Sequence, residues 1–178
     1  MPKVIENLRE TIILEAKNIL LTQSFKELSI RELAKSCNIG TGTFYNYFST
    51  KEKLVVEIFR GDWKKVSNLV DELKITEEPC KEKFRKIYVS MGMFVANYIP
   101  IFYEMTMLSG NDYKCRETNR YDVLYTKISE LLDIEKAKGN VISTLSSYKL
   151  AELIVSNLMY LNKNKFISFD ELYDSLKI

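Results

Sequence analysis

Between Ser29 and Lys51 the chain reads SIRELAKSCNIGTGTFYNYFSTK, and this order of residue types leaves the backbone few ways to run. Ile30, Leu33, Ala34 and Cys37 recur at i, i+3, i+4 and i+7, which places four apolar side chains on one helical face. Ser29, with Glu32 three residues on, forms a capping box that marks the helix start. Asn38 and Gly40 bracket Ile39, and both types tolerate the left-handed backbone that a sharp interhelical turn demands. A second, very short helix is expected from about Thr41 to Tyr47, with Phe44 and Phe48 four apart and facing the first. The pattern predicts a helix-turn-helix. Its outer face offers Thr41, Gly42, Thr43, Tyr45, Asn46 and Tyr47: hydroxyls, an amide, bare backbone and aromatic edges, suited to hydrogen bonds with base edges and phosphates.

The rest of the chain is bounded by its composition. With 178 residues, 46% of them hydrophobic, it is long enough for a packed core. Six glycines and three prolines among many Leu, Lys and Glu predict an all-helical fold, and no strand alternation is evident. The net charge of +2 is not distinctive, although residues 1–60 hold nine Lys/Arg against seven Asp/Glu. Histidine is absent, which removes the commonest general base and metal ligand, so neither a metal nor another cofactor is expected. Cys37, Cys80 and Cys115 are odd in number and lack C-x-x-C spacing, which suggests a reducing compartment. Neither a signal peptide nor a membrane-spanning run is seen, so a cytoplasmic location with no membrane partner is expected.

Along the chain, a first helix is expected from Pro2 or Lys3 to Thr22, with Ile5, Leu8, Ile12, Ala16, Ile19 and Leu20 in helical period. Phe25 and Leu28 close a three-helix unit with the helix-turn-helix. Thr50 caps a long fourth helix to about Leu73, which joins this unit to the remainder. A fifth runs from Cys80 to Tyr98 and is ended by Pro100. A short helix, Ile101–Leu108, comes next. A seventh covers about Tyr113 to Lys138, stopped by Gly139 and Asn140. An eighth covers about Ser147 to Lys163, and a ninth begins with a second capping box at Ser168 and Glu171. This divides the chain into residues 1–50 and residues 51–178, with about nine helices in all.

Large, adaptable side chains gather in the second part. Trp63, Tyr88, Met91, Phe94, Tyr98, Phe102, Met105, Tyr121 and Tyr125 suit a pocket for an apolar or aromatic small molecule, and equally a plain helical core. Glu104, Asp112 and Arg116 lie amid them and either select a charged ligand or are solvated. The eighth helix is apolar around most of its circumference, which asks for cover on more than one side. A second copy of the chain is the economical cover, with Leu150, Ile154, Leu158, Leu161 and, on the ninth helix, Leu172 at a two-fold interface.

The run from Cys37 through Phe48, followed by Lys51, Glu52, Lys53 and Leu54, resembles the TetR family of bacterial transcriptional regulators. The resemblance covers about the first 60 residues. It departs at Asn38, where the family often has Gly, at Gly40, where a capping Ser is common, and at Thr41, where many members carry Lys. It implies an N-terminal DNA-binding domain, a helical domain for ligand and dimerisation, and a repressor that binds a near-palindromic operator on double-stranded DNA as a homodimer until a small effector releases it. Thr41, Thr43, Tyr45 and Asn46 are the candidates for base edges, and Ser29, Arg31, Tyr47 and Lys51 those for phosphates. The family's first helix also lends its N-terminal end to the DNA backbone, where Lys3 stands here. Two other classes stay open: a redox-sensing regulator triggered at Cys37 or Cys115, and an enzyme using the Tyr/Met-rich cavity, for which no nucleophile and base stand at a meaningful spacing.

Overall fold

The computed structural model of the chain describes residues 7–109 and 119–176. Among them eight helices follow one another: α1 Leu8–Thr22, α2 Ile30–Ser36, α3 Thr41–Tyr47, α4 Lys51–Lys74, α5 Cys80–Ser109, α6 Asn119–Ala137, α7 Ser147–Asn164 and α8 Phe169–Leu176. The fold class is all-α, as composition and periodicity predict. Pro2 and Lys3, the expected start of the first helix, lie outside the described residues, as do Asp112, Tyr113, Cys115 and Arg116. At Asn7 the backbone is left-handed, φ 63°, a conformation that Asn accepts more readily than most residues, and α1 begins immediately after it.

One expected boundary is overturned. Pro100 does not end a helix; α5, 30 residues long, runs through it to Ser109, so the separate helix expected at Ile101–Leu108 is the last part of α5. A proline removes the hydrogen bond to the carbonyl four residues back, here that of Ala96. Pro100 and Ala96 both face solvent, where water can satisfy that carbonyl, whereas Tyr98, Ile101 and Met105 on the opposite side are buried. Burial of that face outweighs the local penalty.

The chain divides into two compact units, Met1–Asp62 with Asn97–Tyr113, and Trp63–Ala96 with Lys114–Ile178. In the first, Leu8, Ile12, Ala16 and Leu20 of α1 are buried together with Leu33, Phe44, Leu54 and Ile58. The end of α5 is fastened by polar groups as well. The Tyr98 hydroxyl donates to Asp62 at 2.5 Å, and Asp62 pairs with Lys17 of α1 at 2.6 Å. Phe59 packs edge-on against Tyr98 and Phe102, with ring centroids 5.6 and 4.6 Å apart. Burial, then the neighbouring Asp62 carboxylate, pushes the Tyr98 phenol well above its usual range.

In the second unit α6 and α7 pack along one another. α6 ends at Gly139, φ 78°, where Gly139 N–H donates to Lys136 and Asn140 N–H to Glu135, the paired bonds of a Schellman stop. Ser146 caps α7, and the Ser147 hydroxyl donates to Asp133 at 2.5 Å. Gly92 lets α5 approach α7 closely, since a Cβ there would meet Asn162 Oδ1 at 2.4 Å. The box at Ser168 and Glu171 forms in both directions, at 2.8 and 3.2 Å. Arg85 grips Asp170 with both terminal guanidinium nitrogens, at 3.1 and 2.7 Å. Among the described residues no helix is long and apolar enough to cross a membrane.

Candidate nucleic-acid interface

The helix-turn-helix is built by local chemistry. Ser29 Oγ accepts the Glu32 N–H at 3.4 Å and starts α2. At the other end Asn38 N–H donates to Lys35 and Ile39 N–H to Ala34, again the paired bonds of a Schellman stop, with Asn38 left-handed at φ 56°. Gly40 is not left-handed, contrary to the sequence expectation. One left-handed residue suffices to turn the chain, and Gly40 stands extended at φ −75°, ψ 151° as the N-cap of α3, without a side chain to cap it. Phe44 and Phe48 face inward, 5.9 Å apart, onto a core that includes Leu28, Leu33, Ala34 and Cys37.

The outer side of α3 carries the expected set. Thr41, Gly42, Tyr45, Asn46 and Tyr47 are exposed and Thr43 is half-buried. Arg31 is exposed on α2. Ser29 is half-buried, its hydroxyl already engaged as the cap. Thr50 caps α4 through the Lys53 N–H at 3.2 Å, one residue before Lys51. Lys51 is half-buried with its ammonium 4.2 Å from the centroid of the Phe25 ring, a cation–π seat. Burial lowers its pKa, against the opposing pull of Glu52, Glu104 and Glu27.

The side chains expected to line a pocket fall into both units. In the second, buried Trp63 touches Phe94 and Tyr121 edge-on, with centroids 4.8 and 5.6 Å apart, and Tyr121 stacks on Tyr125 at 6.0 Å. Met91 is buried, and Tyr88 stacks on Phe169 of α8 at 5.3 Å. Tyr98, Phe102 and Met105 belong to the first unit, where Tyr98 and Phe102 pack around Phe59 and Met105 is buried. Glu104 is not free to select a ligand, because each of its oxygens accepts a backbone N–H, from Phe25 at 2.8 Å and Lys26 at 3.3 Å. That role escapes sequence reading, since the partners stand 79 and 78 residues away.

The five residues expected at a dimer interface need a correction. Leu150, Ile154, Leu158, Leu161 and Leu172 are all buried within the single chain, so none offers an exposed face to a second copy. The large apolar side chains that α7 leaves outward are Tyr148, Leu153 and Tyr160, 39%, 41% and 59% exposed. Cys37 and Cys80 are buried, and burial pushes both thiols up, away from the thiolate that redox sensing uses.

A capped α2, a Schellman turn and a short α3 with a polar outer face define a helix-turn-helix protein. Residues 12–58 match the profile of the family described as bacterial regulatory proteins, tetR family. Two regulators of Bacillus subtilis (strain 168) are similar over 79 residues: the uncharacterized HTH-type transcriptional regulator YhgD, 34% identical, and its counterpart YuxN, 28% identical. These matches cover 44% of this chain and 41% and 27% of the relatives, so the chain spans less than half the length of the curated relatives it matches. Among solved structures, Salmonella enterica GusR aligns with a TM-score of 0.71 at 16% identity, covering 98% of this chain and 96% of that one. FadR of Bacillus subtilis, in complex with stearoyl-CoA, aligns at 0.59 with 14% identity over 94% of both chains. FadR of Thermus thermophilus, a TetR-family repressor in complex with lauroyl-CoA, aligns at 0.57 with 19% identity over 88% of this chain and 84% of that one. Over residues 12–58 the chain is thus similar to the tetR family of bacterial regulatory proteins, and over nearly its whole length it shares the fold of these solved regulators.

Proposed function

We propose that this chain is a repressor that binds a near-palindromic operator as a dimer and is released by a small apolar or aromatic effector. The observation that carries the DNA reading is the exposed face of α3, where Thr41, Thr43, Tyr45 and Asn46 address base edges. Arg31, Tyr47 and Lys51 address phosphates, and Ser29 holds α2 in register. In a two-fold dimer two such helices enter successive major grooves about 34–36 Å apart. Residues 1–50 serve DNA, and residues 51–178 serve the effector and the dimer.

The effector reading is supported by the rings of Trp63, Phe94, Tyr121 and Tyr125 with Met91, a lining of apolar bodies and adaptable volume. It is also supported by the acyl-CoA complexes of the two FadR proteins, whose acyl chains are apolar. The effector favours a dimer whose recognition helices no longer match the groove spacing, and DNA is released by population shift. The dimer is carried on the outward side of α7, where Leu153 and Tyr160 stand exposed and Phe166 packs edge-on against Tyr160 at 5.6 Å. The test is a contrast of two substitutions on a selected duplex. Lys51→Ala weakens binding to all sequences and flattens the salt dependence, whereas Thr43→Val changes preference among sequences and leaves the salt dependence intact. A Lys51→Ala protein altered only in sequence preference contradicts the assignment.

A further inference from the structure

We infer that Glu104 is a positioning residue for the Lys51 phosphate contact, an inference that rests on the DNA-binding reading above. The chain of contacts is short and lies wholly within the first unit. Glu104, on the last turns of α5, accepts the backbone N–H of Phe25 through Oε2 at 2.8 Å and that of Lys26 through Oε1 at 3.3 Å. A carboxylate that receives two backbone N–H groups makes charge-assisted bonds, stronger than neutral ones. They fix the segment joining α1 to α2 at the residue whose ring seats the Lys51 ammonium at 4.2 Å. Lys has four rotatable bonds and a mobile point charge. Seated on the Phe25 face beside the N-terminus of α4, it is partly desolvated and partly ordered before DNA arrives, so less conformational freedom is lost when it meets a phosphate. Part of the geometry of a DNA contact is thus set by a residue 53 positions away in sequence, on a helix whose earlier residues belong to the other unit.

A competing physical expectation is opposite in sign. If Glu104 acted only as a negative charge near a phosphate site, its removal would strengthen binding. The test uses the full chain and a duplex of arbitrary sequence, because phosphate contacts are independent of sequence, with affinity measured against salt by anisotropy. Without its seat the Lys51 ammonium leaves the position that meets the phosphate and the contact is lost, so Glu104→Ala and Phe25→Leu are each expected to lower the slope of log affinity against log salt by up to about one, as Lys51→Ala does. Adding Glu104→Ala to Lys51→Ala is expected to bring no further loss of slope, since both act on one contact. Glu104→Gln, which retains an acceptor, keeps most of the slope. Phe25→Leu, which retains an apolar core residue, guards against a Glu104→Ala protein that fails to fold. The inference is overturned if Glu104→Ala and Phe25→Leu keep the slope while Lys51→Ala flattens it, whether or not their melting temperatures fall. Tighter binding by Glu104→Ala overturns it as well. If Lys51→Ala itself leaves the slope intact, or no duplex binds, the DNA assignment of Lys51 falls and this inference falls with it, a result distinct from the first.

Discussion

Lys83 and Glu135 meet at 2.8 Å in the second unit with their side chains 0% and 1% exposed, an ion pair sealed from water. Two further hydrogen bonds support the pair: Lys83 also donates to the Thr76 carbonyl at 2.8 Å, and Asn140 donates to the other Glu135 oxygen at 2.8 Å. The pair ties the first turn of α5 to the end of α6, and the bond to Thr76 adds the turn before α5. Breaking it from one side strands a buried charge, so Lys83→Ala is expected to cost about 3–5 kcal/mol. Replacing both partners by apolar residues of similar volume, Lys83→Met with Glu135→Leu, is expected to stay within about 1 kcal/mol of the parent, because it removes both desolvation penalties. Urea unfolding of the two variants checks this. A single mutant as stable as the double contradicts it.

The same carboxylate gives stability an acid limb. Burial pushes Glu135 up, but hydrogen bonds from Lys83 and Asn140 more than offset this and hold it below its ordinary value. Arg85, then Lys81, hold Asp170 well below the usual carboxylate range. A group whose folded pKa is depressed stabilises the fold above its unfolded pKa, near 4 for these residues, and that contribution is lost as pH falls through the folded value. Urea midpoints are therefore expected to be level from neutrality to about pH 5 and to drop below about pH 4. Asp170→Asn is expected to make the drop shallower, and a midpoint that rises on acidification contradicts the assignment.

At Gly40 the sequence is less than optimal for folding. Its φ of −75° is ordinary for any residue, and an added Cβ meets only Thr43 Oγ1 at 4.0 Å. Gly40→Ser supplies the missing cap hydroxyl and restricts the unfolded chain, a gain of about 0.5–1 kcal/mol. A melting temperature that falls would show that Gly40 does not stand as the N-cap of α3.

Pro100 offers the converse test. Pro100→Ala restores a hydrogen bond to Ala96 on an exposed face, and α5 is expected to gain about 1–2 kcal/mol after allowing for the greater freedom of the unfolded chain. Thermal unfolding measures it. A loss of stability would mean that α5 depends on the proline.

How much of this was legible in the sequence follows the range of the interactions. The capped α2, the turn at Asn38, the short α3 and the stop at Gly139 are written in neighbouring residues and read correctly, apart from the backbone of Gly40. The continuity of α5 was not legible, because the signal against it is local and the burial of Ile101 and Met105 that overrides it is tertiary. Nor was the role of Glu104, whose partners are loop N–H groups that carry no residue signature. On α7 the apolar residues wrap so far around the helix that periodicity does not tell which are covered by the chain's own core. Leu150 and Ile154 are, while Leu153 and Tyr160 are not.

The most direct test of the central claim is selection of bound sequences from a random duplex pool at near-physiological salt, followed by anisotropy titration of the enriched sequence. A palindrome with half-sites about one helical turn apart, bound by a dimer, is the expected result. Enrichment of nothing beyond salt-sensitive background binding would contradict the reading of α3 as a recognition helix.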